Sequence, residues 1–210
     1  MTDTSVVKGW QDNLKGDGYT PKKMAKGFSR VWRRVFRRIP NRKGDVFEVG
    51  YGGGKHLAQF MAEGWNIDGI DCSEQMKSEA EKFLGKKLLL GDFFEAQITK
   101  QYDVVFHVGV IEHYREYSDR IKFLKQMSAI TKPGGYVISI VPINIDMKTP
   151  HAPEIDYTSC LMRQEFIDVG AEIIAVFPHN LKGWFAPIPF PIEKFSGTMV
   201  GIYKKSKWQH

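Results

Sequence analysis

From residue 24 onward, apolar side chains recur at steps of three and four: Met24, Phe28, Val31, Trp32, Val35, Phe36 and Ile39. That spacing predicts an amphipathic helix. Pro21 opens it with Thr20 as cap, and Pro40 stops it. The period then changes. Val46 to Val49, broken only by Glu48, reads as a buried strand, and Gly50, Gly52, Gly53 and Gly54 follow as a turn almost without side chains. Leu57, Ala58, Phe60 and Met61 resume helical spacing. Further strands are predicted at 66–72 and 87–90, flanking a helix over 74–84 that Ser73 can cap. A strand over 102–108 precedes a helix over 117–131, striped by Ile121, Leu124, Met127 and Ile130. Pro133-Gly134-Gly135 reads as a turn into a strand over 136–141. A helix over 160–169 and strands over 173–177 and 199–203 complete the series. Two stretches lack periodicity, Pro142 to Thr158 and His179 to Phe195, and loops this long in a compact domain are functional or disordered. Residues 1–20 read as a short helix or a loop. Strands alternating with helices predict a doubly wound α/β sheet, which binds ligands outside the carboxyl ends of its strands.

Composition changes this picture in two places. At 210 residues and 42% hydrophobic, the chain is expected to form one domain, residues 1–210, with a core large enough to fold alone. No apolar run approaches the ~20 residues of a membrane span, and no signal peptide is visible. Cys72 and Cys160 form no C-x-x-C pair, which argues against a disulfide scaffold or a zinc site and for a cytoplasmic protein. The formal charge of +6 is lopsided. Residues 1–45 carry 12 Lys/Arg and 4 Asp/Glu, or +8, so the remainder sums to −2. The basicity belongs to an N-terminal cap, residues 1–44, and not to the core over 45–204. The polar face of the predicted cap helix holds Lys22, Lys23, Lys26, Arg30, Arg33, Arg34, Arg37 and Arg38. Such a face is either plain solvated surface or a docking surface for an anionic partner.

The glycine turn is where chemistry is expected. A dinucleotide fingerprint would need glycine at position 55, which is Lys55, and a P-loop fails at Val49 and His56. What stands is an acid two residues before alternating glycines: Glu48, Gly50, Gly52, Gly54. An ordinary tight turn between strand and helix also fits that pattern. Asp71, at the end of the second strand, can accept from both ribose hydroxyls of an adenosine or cap the next helix. Asp92, after the third strand, can accept from an exocyclic amine or cap the next turn.

Taken together, Glu48 to Gly54 resembles motif I of the class I S-adenosylmethionine-dependent methyltransferases. Gly69 to Met76 resembles the family's second segment, Tyr102 to Tyr114 its "FDVV…EH" region, and Lys132 to Gly135 its Lys-Pro-Gly-Gly turn. The resemblance implies a seven-stranded Rossmann-like sheet with strand 7 antiparallel and an N-terminal helical lid. It implies S-adenosylmethionine as cofactor, held by Glu48, Gly50, Gly52, Gly54, Asp71, Cys72, Met76, Asp92, Phe93 and His107. Asp71 would take the ribose, Asp92 the adenine amino group and the Phe93 N–H a ring nitrogen. Met76 would lie near the adenine or be plain core.

Methyl transfer needs alignment and exclusion of water more than covalent help. An oxygen nucleophile must also lose a proton, which a histidine can take. His113, just after the fourth strand, and His107, near its end, are the candidate bases. Some relatives bind a divalent metal through E-x-x-E-H. Here Gly109 replaces the first acid, and one carboxylate with one imidazole is a poor hard-cation site. No catalytic metal is therefore expected. The expected acceptor is a small molecule methylated on oxygen or nitrogen. The alternatives are an RNA or protein acceptor docked on the basic helix, and a scaffold that binds the cofactor without catalysis.

Overall fold

A computed structural model describes residues 27–40, 43–144, 157–182 and 196–205. In it the chain divides into two compact units, residues 1–102 and 103–210. Seven strands form one mixed sheet in the order β3-β2-β1-β4-β5-β7-β6.

The first unit contains α1 (Arg30–Val35), β1 (Asp45–Val49), α2 (Lys55–Ala62), β2 (Asn66–Asp71), α3 (Glu74–Leu84) and β3 (Leu89–Leu90). Val46 to Val49 are all buried, as expected of a parallel strand covered on both faces. β1 and β2 run parallel with Glu48 opposite Gly69. A Cβ at Gly69 would stand 2.8 Å from the Glu48 carbonyl oxygen and 3.0 Å from the Tyr51 ring, so the glycine makes room for Tyr51. α3 starts as predicted, with Ser73 Oγ accepting from the Met76 N–H.

The cap stripe is buried as its period requires: Phe28, Trp32, Val35 and Ile39 are all inside. It packs on α2 and on the Trp65 that follows. Trp32 and Phe28 meet Phe60 edge-on at 4.7 and 5.0 Å between ring centroids, and Phe36 lies 5.7 Å from Trp65. The described part of the cap is thus fastened to the helix after the glycine turn. The described helix starts at Arg30, because Ser29 is extended and gives its N–H to Gln59 Oε1 at 2.8 Å. The predicted turns over 21–26 lie outside the described residues.

The second unit takes up β4 (Tyr102–Val108) from Asp103 onward. It continues with a 3-10 turn (Ile111–His113), α4 (Tyr117–Ala129), β5 (Thr131–Asn144), α5 (Ser159–Asp168), β6 (Glu172–Lys182) and β7 (Ser196–Lys204). β7 is antiparallel to both β5 and β6, as the resemblance implies. β5 is longer than predicted at both ends. The Gly134 N–H donates to the Lys205 carbonyl and the Lys205 N–H to the Gly135 carbonyl, so the expected Pro-Gly-Gly turn is drawn into the ladder. At the far end Asn144 still pairs with Ser196, and Lys182 of β6 pairs with the same residue. Cross-strand pairing therefore consumes the starts of both predicted loops, and residues 145–156 and 183–195 lie outside the described residues. Gly201 faces α5: a Cβ there would meet Met162 Sδ at 2.4 Å and the Phe166 ring at 2.5 Å. Among the described residues no helix is long and apolar enough to cross a membrane.

Candidate cofactor site

The site grows from three parallel strand ends tied together by main-chain bonds. The Gly50 N–H donates to the Ile70 carbonyl at 2.8 Å, and the Gly91 N–H to the Asp71 carbonyl at 3.0 Å. This brings the glycine turn, the end of β2 and the segment after β3 onto one edge. Asp71 is the hub. Its Oδ2 accepts from the Gly52 N–H and its Oδ1 from the Ser73 N–H, both at 2.9 Å. Burial raises its pKa, and the N–H groups of Ser73, Gly52 and Cys72 oppose that rise. Ser73 does the capping of α3 through its own hydroxyl, so Asp71 is not consumed as the side-chain cap.

Gly52 and Gly54 show why the turn is built of glycine. Both have positive φ, 50° and 77°, which side-chain-bearing residues rarely adopt. A Cβ at Gly52 would meet no atom within 4 Å, whereas one at Gly54 would sit 3.0 Å from Leu84 and 3.3 Å from Ala80. Gly54 is thus a packing requirement, and Gly52 leaves its main chain approachable. Below the turn Glu48 is 1% exposed. Its carboxyl accepts from the Leu57 N–H in the first turn of α2, while burial and the charge of Asp71 push its pKa well up. Oε2 has no partner. Glu48 thus supports the N-terminus of α2 from beneath, where helix N–H groups lack intrahelical acceptors.

The remaining predicted contacts divide. Asp92 Oδ1 accepts from the Phe94 N–H at 2.8 Å, and its carbonyl accepts from Glu95 and Ala96. It therefore caps the turn after β3, the simpler of its two expected roles. Phe93 is 5% exposed and Met76 3%, both packed inward, while Cys72 is exposed. Glu48, Gly50, Gly52, Gly54, Asp71, Asp92 and their neighbours belong to the first unit.

In the second unit His107 is wholly buried, and neither ring nitrogen is bonded among the described residues. It lies edge-on to Phe123 at 5.3 Å. Burial, reinforced by His113, lowers its pKa to about 3. His113 closes the 3-10 turn and is half-buried. Glu112 was expected only as half of an incomplete metal pair. It is fully buried, with both carboxyl oxygens unpartnered among the described residues, and burial raises its pKa to about 8 against its own main-chain N–H. Beside it stands a network that sequence reading missed. Tyr157 donates to Glu165 Oε2 at 2.9 Å, and Arg120 Nε donates to Glu165 Oε1 at 2.6 Å. Arg120 also binds the Tyr114 and Arg115 carbonyls. No motif announces this network; the only signal is an arginine and a glutamate on helical stripes otherwise apolar. Among the described residues no group of three or more His, Cys, Asp or Glu is placed to hold a metal ion.

A mixed sheet with β7 antiparallel, and a glycine turn locked to an acid at the end of β2, define a nucleotide-cofactor methyltransferase fold. Residues 47–139 match the family described as "Methyltransferase domain", which supports a class I S-adenosylmethionine-dependent methyltransferase. Among curated relatives it is similar to the tRNA U34 carboxymethyltransferase of Idiomarina loihiensis, 27% identical over 71% of this chain and 49% of the relative. The protein of that name from Cronobacter sakazakii is 27% identical over 84% of this chain and 55% of the relative. The chain thus spans about half the length of the curated relatives it matches. Among solved structures, SAM-bound CalS10 is an amino pentose methyltransferase of Micromonospora echinaspora. It superimposes with a TM-score of 0.62 at 15% identity, covering 94% of this chain and 96% of that one. An S-adenosylmethionine-dependent methyltransferase of Clostridium acetobutylicum gives 0.64 at 15% identity, covering 93% and 96%.

Proposed function

We propose that this chain binds S-adenosylmethionine through its first unit and transfers the methyl group to an oxygen or nitrogen of a small-molecule acceptor. One observation carries the cofactor reading: Asp71 is half-buried, held in place by Gly52 and Ser73, and not used as the helix cap. A carboxylate fixed at this sheet edge is suited to paired hydroxyls such as those of a ribose. In this reading the main chain of Gly50, Gly52 and Gly54 lies along the cofactor, Asp92 and the Phe93 N–H read the adenine, and Cys72 and Met76 flank it. The cofactor supplies an electrophilic methyl group.

The chain's own residues must then orient the acceptor, exclude water and, for a hydroxyl acceptor, take a proton. His113 is the better base of the two histidines. Burial makes His107 a weak base near neutrality, whereas His113 is only half-buried as a residue and sits at the end of the 3-10 turn, though its ring nitrogens lie inside; His107 fits a cofactor or wall position better. No metal ligation is assigned.

A second reading is favoured by specific observations. The two curated relatives above are named for a tRNA nucleotide, and Arg30, Arg33, Arg37 and Arg38 are exposed on α1 and the turn after it. With the apolar stripe buried, this basic face points to solvent, where phosphates can reach it. The deciding experiment incubates the protein and S-adenosylmethionine with amines, phenols, carboxylates and thiols, and in parallel with bulk tRNA. S-adenosylhomocysteine release is the readout. Release with one small-molecule class supports the first reading. Release with tRNA alone, suppressed steeply by salt, transfers the case to the second. No release with any acceptor counts against catalysis.

A further inference from the structure

We propose that Trp32 and His56 form a positioning pair, through which seating of α1 sets the geometry of the glycine turn and hence the affinity of the cofactor site. This rests on the cofactor reading above. The observations lie within one unit. α2 begins at Lys55 with Gly54 as its cap, and glycine offers no side chain to hold the first turn. The first turn is therefore held from outside. Glu48 grips it from below through the Leu57 N–H. On another side His56, the second residue of the helix, is engaged by the cap: Trp32 Nε1 donates to His56 Nδ1 at 3.1 Å, with the rings edge-on at 5.9 Å.

Trp32 is fully buried and is fixed one turn further along by Phe60. The main chain before α1 is clamped to α2 as well. Ser29 N–H meets Gln59 Oε1 at 2.8 Å, and Phe28 N–H meets Glu63 Oε1 at 3.4 Å. A helix of six residues has no stability of its own, so α1 exists because it is docked here. Docking and the shape of the first turn of α2 are therefore one equilibrium. Linkage makes the coupling reciprocal: if a seated α1 favours the cofactor, the bound cofactor favours a seated α1 by the same factor. The pair is not a pH switch. Burial, aided by Lys55, lowers the His56 pKa to about 3. The ring stays neutral near pH 7, with Nδ1 as acceptor and the proton on Nε2.

The test uses the full chain and S-adenosylhomocysteine in titration calorimetry, with amide hydrogen exchange over residues 50–58. Trp32→Phe keeps a ring but loses the N–H, and His56→Leu loses the acceptor. His56→Gln offers an amide oxygen in its place. Loss of one part-buried hydrogen bond made in the seated state predicts a dissociation constant about five- to tenfold higher for the first two variants. Faster exchange over 50–58 should accompany it, and His56→Gln should restore most of both. Wild-type affinity and wild-type exchange in folded Trp32→Phe and His56→Leu would overturn the pair. Should Trp32→Phe fail to fold, His56→Leu decides. Should wild type bind no S-adenosylhomocysteine, the cofactor reading fails, and exchange over 50–58 alone then judges the pair.

Discussion

At the scale of single residues, the most informative side chains are two acids, Asp71 half-buried and Glu112 fully buried, with opposite surroundings. Asp71 has three main-chain N–H groups to offset its burial; Glu112 has only its own. Asp71→Ala should weaken S-adenosylhomocysteine by ~1–3 kcal/mol, the cost of losing a charged hydrogen-bond acceptor, and calorimetry measures this directly. Glu112 predicts a pH signature. Unfolded, it ionises near its ordinary value of 4.5; folded, near about 8. Between these values the native state holds the extra proton, so stability falls as pH rises, by about 1.4 kcal/mol per pH unit, and levels off above the upper value. Urea unfolding across that window should show the fall in wild type and its loss in Glu112→Gln. A wild-type profile matching the variant would mean that Glu112 has found a partner. The acid two before the glycines, Asp71 and Asp92 were legible in sequence because each sits at a fixed distance from a strand end. The orphaned state of Glu112 was not, since it depends on where Arg120 and Tyr157 spend their donors, and those choices cross from one helix to another.

At the scale of elements, what sequence captured and what it missed separate along local and non-local physics. The strand, glycine turn and helix at 45–62, and the Ser73-capped helix at 74–84, follow from neighbours in the chain and came out nearly as expected. The ends of β5 and β6 did not, because their lengths are set by partners in β7. Pro133 and its two glycines carry the local grammar of a turn, and Gly134 keeps a turn-like φ of 78°, yet Lys205 supplies hydrogen bonds that draw them into the ladder. Gly201 is the element-scale hinge of packing in the second unit. Gly201→Ala should drive a methyl group into Met162 and Phe166 of α5, and overpacking of this kind costs typically ~1–3 kcal/mol. Thermal unfolding should show the loss. An unchanged midpoint would mean that α5 moves away from β7 more easily than its packing implies.

At the scale of the molecule, charge is the feature that composition revealed and the structure explains. The +8 of residues 1–45 is carried in part by an α1 whose apolar stripe is spent on α2, leaving its arginines outward. The segments at 1–26, 145–156 and 183–195 lie outside the described residues, and they include most of the two long loops read from the sequence as functional or disordered. Neutralising Arg30, Arg33, Arg37 and Arg38 together therefore separates the two acceptor classes. Small-molecule turnover should stay within about twofold, because solvated surface charges contribute little locally. A tRNA-acting enzyme should instead lose binding and show a flatter salt dependence, since each lost phosphate contact removes released counterions.

The most direct test of the central claim is a calorimetric titration of the full chain with S-adenosylhomocysteine, with NAD as the competing nucleotide. The fixed Asp71 and the open main chain at Gly52 predict a one-to-one complex with S-adenosylhomocysteine, weakened in Asp71→Ala, and no comparable heat with NAD. Tight binding of NAD with no binding of S-adenosylhomocysteine would contradict it.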